Sequence, residues 1–226
     1  MNALHETWSW LTTGSHWTGG AGVLTRLGEH VQLCAEAMLL AGLVAIPIAV
    51  LLGHIGRGTW FVVSVANASR AVPTLAVLVL LVLRMGIGDR PVVYALSLFA
   101  FPPMVTNAYA GVRGVDDEVR DAARGLGLSG WQVLRKVEIP LALPLLAAGV
   151  RTAAVQVIAT ATIAAIVGSG GLGRFIVDGF QTNDYGQLIS GVVIVAALAL
   201  ITEVVLGAAE RRLDPLRRSA PAPNPA

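Results

Sequence analysis

RGVDDEVRDAARGLGLSGWQVLRKVEIP, residues 113–140, is a polar stretch set between two long apolar blocks. Asp116, Asp117 and Glu118 place negative charge where a helix would begin, the end at which the macrodipole stabilises it. Val119, Ala122, Ala123 and Leu126 then recur at helical spacing. Gly125 and Gly127 are expected to stop that helix. Ser129 and Gln132 have the spacing of a capping box and predict a second helix. Arg135 and Lys136 are expected in its last turn, and Pro140 at the start of the next element. The expectation is a helix–turn–helix with a small, alanine-lined surface, suited to a groove on a partner. An ordinary connection between bundled helices is about 2–8 residues long, shorter than this segment.

The flanking blocks define the environment. Hydrophobic residues make up 55% of the 226-residue chain and charged residues 13%, about half the charge of an ordinary soluble domain. The apolar residues fall in runs near the ~20 residues that a helix needs to cross a bilayer. The short alternating segments of a closed β-barrel do not occur. The fold class is therefore all-α, a polytopic transmembrane bundle of about five spans, at 31–53, 60–83, 91–112, 141–167 and 187–208. Sixteen Lys+Arg against fourteen Asp+Glu give a net charge of +2, too balanced to point to nucleic acid. Arg113, Arg120, Arg124, Arg135 and Lys136 precede span four, and Arg211, Arg212, Arg217 and Arg218 follow span five. Both clusters are placed in the cytoplasm, where Lys and Arg collect; Arg84 and Arg90, on the outer side, depart from the rule. Residues 1–30, with Trp8, Trp10 and Trp17, are expected to form an amphipathic or irregular lead-in at the membrane surface. The membrane-spanning core is expected to cover 31–210, and 211–226 is expected to be a disordered tail. No cleavable signal peptide is expected, and the lone Cys34 excludes an intrachain disulfide.

Asp121-Ala122-Ala123, then Gly127, then Val137-Glu138-Ile139-Pro140, resembles the EAA loop of ABC-importer permeases. That pattern reads Glu-Ala-Ala, three residues, Gly, nine residues, Ile-x-Leu-Pro, and every spacing matches. Asp replaces Glu, Val replaces Ile and Ile replaces Leu. Further on, Val72-Pro73-Thr74-Leu75-Ala76, Gly86-Ile87-Gly88, Asn107-Ala108-Tyr109, Gly149-Val150-Arg151-Thr152-Ala153 and Gly168-Ser169-Gly170-Gly171-Leu172-Gly173 occur in order. Together they are similar to permeases for glycine betaine, carnitine, choline and related osmoprotectants. The resemblance implies a type I (MetI-like) importer permease fold in a bacterial cytoplasmic membrane. It implies separate ATP-hydrolysing subunits that carry ATP and magnesium, an external substrate-binding protein, and a second permease, identical or not. It assigns ATPase coupling to Asp121, Ala122, Ala123, Gly127, Val137, Ile139 and Pro140. The family commonly has Gln where Arg70 stands and Arg where Thr106 stands. A permease for another small amino-acid-like solute is the alternative.

Pro73 in span two and Pro102-Pro103 in span three are expected to interrupt helices, since proline removes a backbone donor. Breaks at membrane depth are tolerated where they pack in protein or line a cavity. Asn67, Arg70, Pro73, Thr74, Thr106, Asn107 and Tyr109 are accordingly the candidate translocation path. Gly168, Gly170 and Gly173 fit the dinucleotide fingerprint only by accident, lacking a preceding strand and a Rossmann unit; with Gly171 they are expected to form a tight turn at a candidate outer gate. Arg151 and Glu203 lie at comparable depth in spans four and five, and they are expected to pair directly, or each with a nearby polar group, because lone charges there are costly. No Walker motif, metal-ligand spacing or catalytic constellation is found. The chain reads as a non-catalytic subunit with no cofactor of its own. A membrane enzyme would need paired Asp, Ser–His or a metal site within spans. A lone ion-coupled carrier would usually show internal repeats.

Overall fold

A computed structural model of the chain describes residues 3–213, the side chains of Ser69 and Arg70 excepted. Every regular element among these residues is helical. Helix α1, Ala3–Thr12, comes first. Helix α2, Val23–Ile55, is followed by two short helices, α3, Thr59–Ala71, and α4, Thr74–Met85. Helix α5, Asp89–Arg113, leads to α6, Asp117–Gly125, and α7, Gly130–Val133. A π-helical turn, Leu134–Glu138, joins α7 to α8, Ile139–Thr160. A 3-10 segment, Ala161–Val167, then leads to α9, Gly173–Thr182, and α10, Tyr185–Leu213, on whose start α1 packs.

Helix α5 is the enclosed one, packed against α2, α3, α4 and α8. Lipid tails are as apolar as leucine, so close packing of small residues must hold such helices together. Ala37, Ala41, Ala45, Ala49 and Gly53 form one buried stripe of α2 at four-residue spacing. The helices approach closely at its end, where a Cβ on Gly53 would stand 2.9 Å from Cβ of Val112. On the other side of α5, a Cβ on Gly149 of α8 would stand 2.8 Å from Cβ of Asn107. Outward-facing Leu39, Leu43, Leu80, Leu83, Leu200 and Val204 leave an apolar exterior, as a lipid-facing surface requires.

Several sequence expectations need correction. Among the described residues, four helical runs are long and apolar enough to cross a membrane unbroken. The expected second span is two helices of 13 and 12 residues, about 20 and 18 Å long. The interruption expected at Pro73 is present, with extended backbone at Val72 and Pro73. Pro102 and Pro103 do not interrupt α5, which is continuous. Thr106 and Asn107 bond back to Pro102 and Pro103 carbonyls, at 2.8 Å each, bracing that stretch. Helix α2 starts at Val23, inside the expected lead-in, and α10 runs to Leu213, past the expected boundary at 211. The lead-in is itself ordered. Trp10 is buried, stacked on His16 at 4.5 Å and edge-on to Phe175 at 5.4 Å, while Trp17 donates to the Leu11 carbonyl at 2.8 Å. Trp8 alone of the three points outward, with Leu4. The tail from Pro215 lies outside the described residues.

Candidate functional site

Helix α6 begins where the charge pattern indicates, with the Asp116 side chain accepting from the Glu118 amide at 2.9 Å. Gly127, at φ +84°, turns the chain after it, a conformation that costs glycine little. Ser129 and Gln132 make both bonds of the capping box, at 3.4 and 2.8 Å. The second helix does not end at Arg135 and Lys136. It continues through the π-helical turn into α8, so residues 130–167 form one helical run. The amide of Ile139 donates to the Leu134 carbonyl five residues back, and the proline at 140 is accommodated near the start of α8.

The residues assigned by spacing divide between two sides of the loop. Asp121, Ala122 and Gly127 are exposed; Ala123 is buried; Val137, Ile139 and Pro140 are half-buried. The outward apolar surface is made by Val119, Ala122, Leu126 and Trp131. It is wider and bulkier than the alanine surface expected from the sequence, because Ala123 turns inward to fix α6 against the bundle.

Behind that surface is a buried ionic cluster that sequence reasoning missed. Glu138, 1% exposed, and Arg120, 5% exposed, meet with Nε 2.9 Å from Oε1. The other oxygen of Glu138 lies 2.6 Å from Nδ1 of His54, near the end of α2. Arg120 also donates to Asp117 at 2.8 Å and to the Val112 carbonyl in the last turn of α5 at 2.6 Å. Two signals were available. Glu138 is an acid in the apolar run Val137–Ile139, and Arg120 shares the face of α6 occupied by Ala123, three residues on.

The path candidates are not gathered into one cluster. Asn67 and Pro73 are exposed and Thr74 partly so, all around the α3–α4 break. The side chain of Arg70 lies outside the described residues. Thr106 and Asn107 serve the α5 backbone, and the buried Tyr109 hydroxyl sits 2.7 Å from that of Thr59, tying α3 to α5.

At the other end, Gly168 and Gly171 have φ of +81° and +93°. The Gly171 amide donates to Glu29 at 2.8 Å, and Ser169 donates to Asp89 at 2.6 Å. A Cβ on Gly173 would fall 2.1 Å from the Thr162 carbonyl oxygen, so this turn is a tight fit against α2, α5 and the 3-10 segment. His30, fully buried beneath it, lies 3.0 Å from the Ile158 carbonyl through Nε2. The expected pair is present: Arg151 is ion-paired with Glu203, and its Nε also lies 2.9 Å from Glu210. The additional partner stands seven residues beyond Glu203 on the same face of α10.

A family described as binding-protein-dependent transport system inner membrane component matches residues 45–218. The chain is 35% identical to the glycine betaine/carnitine/choline transport system permease protein OpuCB of Bacillus subtilis, over 88% of this chain and 91% of that protein. It is 37% identical to the carnitine transport permease protein OpuCD of Listeria monocytogenes, over 88% and 90%. It is 37% identical to the osmoprotectant import permease protein OsmY of Salmonella typhimurium, over 85% and 83%. Its fold is similar to a chain of the inward-facing MetNI methionine ABC transporter, with a TM-score of 0.71 at 20% identity, covering 84% of this chain and 96% of that one. An amino acid ABC transporter solved with histidines gives a TM-score of 0.67 at 20% identity, covering 94% and 98%. Matched in sequence over most of its length and in fold, this multi-pass protein of the cytoplasmic membrane belongs to the inner-membrane components of binding-protein-dependent transport systems.

Proposed function

We propose that the chain is the permease subunit of an ATP-binding-cassette importer for a quaternary-ammonium osmoprotectant: glycine betaine, carnitine, choline or proline betaine. The observation that carries this reading is the near full-length likeness to relatives named for those solutes. The chain itself is non-catalytic. ATP and magnesium bind a partner ATPase, whose cleft receives α6 and the exposed Val119, Ala122, Leu126 and Trp131. A second permease, identical or sister, completes the pore, and a separate binding protein delivers solute to the outer face. The α3–α4 break with Asn67, Arg70, Pro73 and Thr74 borders the route, and the turn at 168–173 forms the outer gate.

The test is reconstitution of the chain with its ATPase and binding protein in proteoliposomes. Each of the four compounds, and methionine, is offered separately. ATP-dependent uptake of at least one quaternary ammonium compound is expected. Uptake of methionine alone would overturn the osmoprotectant assignment in favour of an amino-acid-like solute. Absence of a co-purifying ATPase would overturn the importer reading itself.

A further inference from the structure

We propose that Glu138 is a positioning residue that converts displacement of α6 into movement of the membrane helices. The proposal rests on the importer reading above. Four attachments converge on the Glu138–Arg120 pair. The Glu138 carboxylate holds His54 at the end of α2 with one oxygen and Arg120 of α6 with the other. Arg120 in turn holds Asp117 and the last turn of α5 through Val112. Glu138 itself begins the rise into α8. The cytoplasmic ends of α2, α5 and α8 are thus joined to α6 through one buried ion pair.

A buried carboxylate and guanidinium gain little net stability over well-packed apolar residues. Their use here is geometric, because a planar guanidinium presents donors in a rigid fork. The shared pair resists separation, since parting the two would leave an unpaired buried charge. A push on α6 is therefore transmitted through Arg120 to Glu138 and His54 together.

The π-helical turn supplies the moving part. Single π turns insert one residue into an α-helix and recur at functional positions. Leu134–Glu138 is such a turn, closed by the Ile139 amide on the Leu134 carbonyl. Shifting its register by one residue would rotate Glu138 by about 100° about the helix axis. The ion pair selects the register in which Glu138 faces α2 and α6.

The test uses the complex assembled with its ATPase and binding protein. Glu138→Gln, Arg120→Lys and His54→Ala are compared with the wild type for ATPase retained, ATP hydrolysed and solute taken up. Glu138→Gln and Arg120→Lys are expected to retain the ATPase while uptake per ATP falls about tenfold, within the usual range for coupling between sites. His54→Ala should show a smaller fall, and His54→Gln, which keeps a donor, should recover it. Unchanged uptake per ATP, with only a lower yield or unfolding temperature, would make Glu138 merely structural and overturn the proposal. If Glu138→Gln yields no complex, Arg120→Lys decides by the same ratio; failure of both to assemble would also overturn it. A wild-type chain that retains no ATPase overturns the importer reading, and the role of Glu138 with it.

Discussion

The two ends of the bundle are fastened by different means. At the cytoplasmic end, long charged side chains reach across gaps between helices: Glu138 to His54 and Arg120, and Arg120 on to Val112. At the outer end, backbone does much of the joining. The Gly171 amide meets Glu29, and Gly173 presses on the Thr162 carbonyl. Side-chain links can swing about several torsions while keeping their partners, whereas backbone in contact with backbone can only separate. The cytoplasmic end is thus joined through long side chains, and the outer turn through close backbone contact.

Four single substitutions and one charge swap test that contrast, in descending order of expected effect. Glu138→Ala leaves Arg120 buried without its carboxylate and is expected to cost about 3–5 kcal/mol, read by denaturant unfolding in detergent. A loss below about 1 kcal/mol would mean that water replaces the carboxylate readily and the cluster is not a hub. Gly173→Ala, with its Cβ against the Thr162 carbonyl, is expected to cost about 1–3 kcal/mol as overpacking. If unfolding is unchanged, the outer turn yields and the contrast fails. Glu203→Gln removes one of two carboxylates from the partly exposed Arg151, so solvent screening and the remaining Glu210 hold its cost to about 0.5–1 kcal/mol. The swap Arg151→Glu with Glu203→Arg should restore only part of the stability lost in Arg151→Glu, because the new glutamate faces Glu210. Full restoration would show that Glu210 contributes nothing. Val119→Ser, on the exposed face of α6, should leave stability of the isolated chain within about 0.5 kcal/mol while lowering the ATPase retained in the complex. A large loss of stability would place Val119 inside the fold and not on a docking surface.

Much of this was legible in the linear order of residues. The apolar runs announced a membrane bundle because each helix must satisfy its own backbone in lipid. The acids at 116–118, the glycine at 127 and the Ser129–Gln132 box announced the ends of α6 and α7 because capping is local chemistry. The Arg151–Glu203 pair followed from depth alone, as the expense of a lone charge in a membrane demands a partner at the same level.

What remained hidden depends on which faces meet. Nothing local in Ala123 says that it turns inward while Ala122 turns out. Proline by itself does not say that 73 breaks a helix and 102–103 do not. Pro73 follows a residue in extended backbone, whereas the prolines of α5 are held within an enclosed helix braced by Thr106 and Asn107. Glu138 reads as the variable position of a motif until the π-helical turn rotates it toward Arg120 and His54, residues 18 and 84 positions away in the chain. Residue order determined the spans, the caps and the family pattern, because these depend on composition and neighbours a few positions apart. Only tertiary structure decided the hub, the outer turn's fit and the second carboxylate on Arg151, because those depend on helix rotations that packing sets.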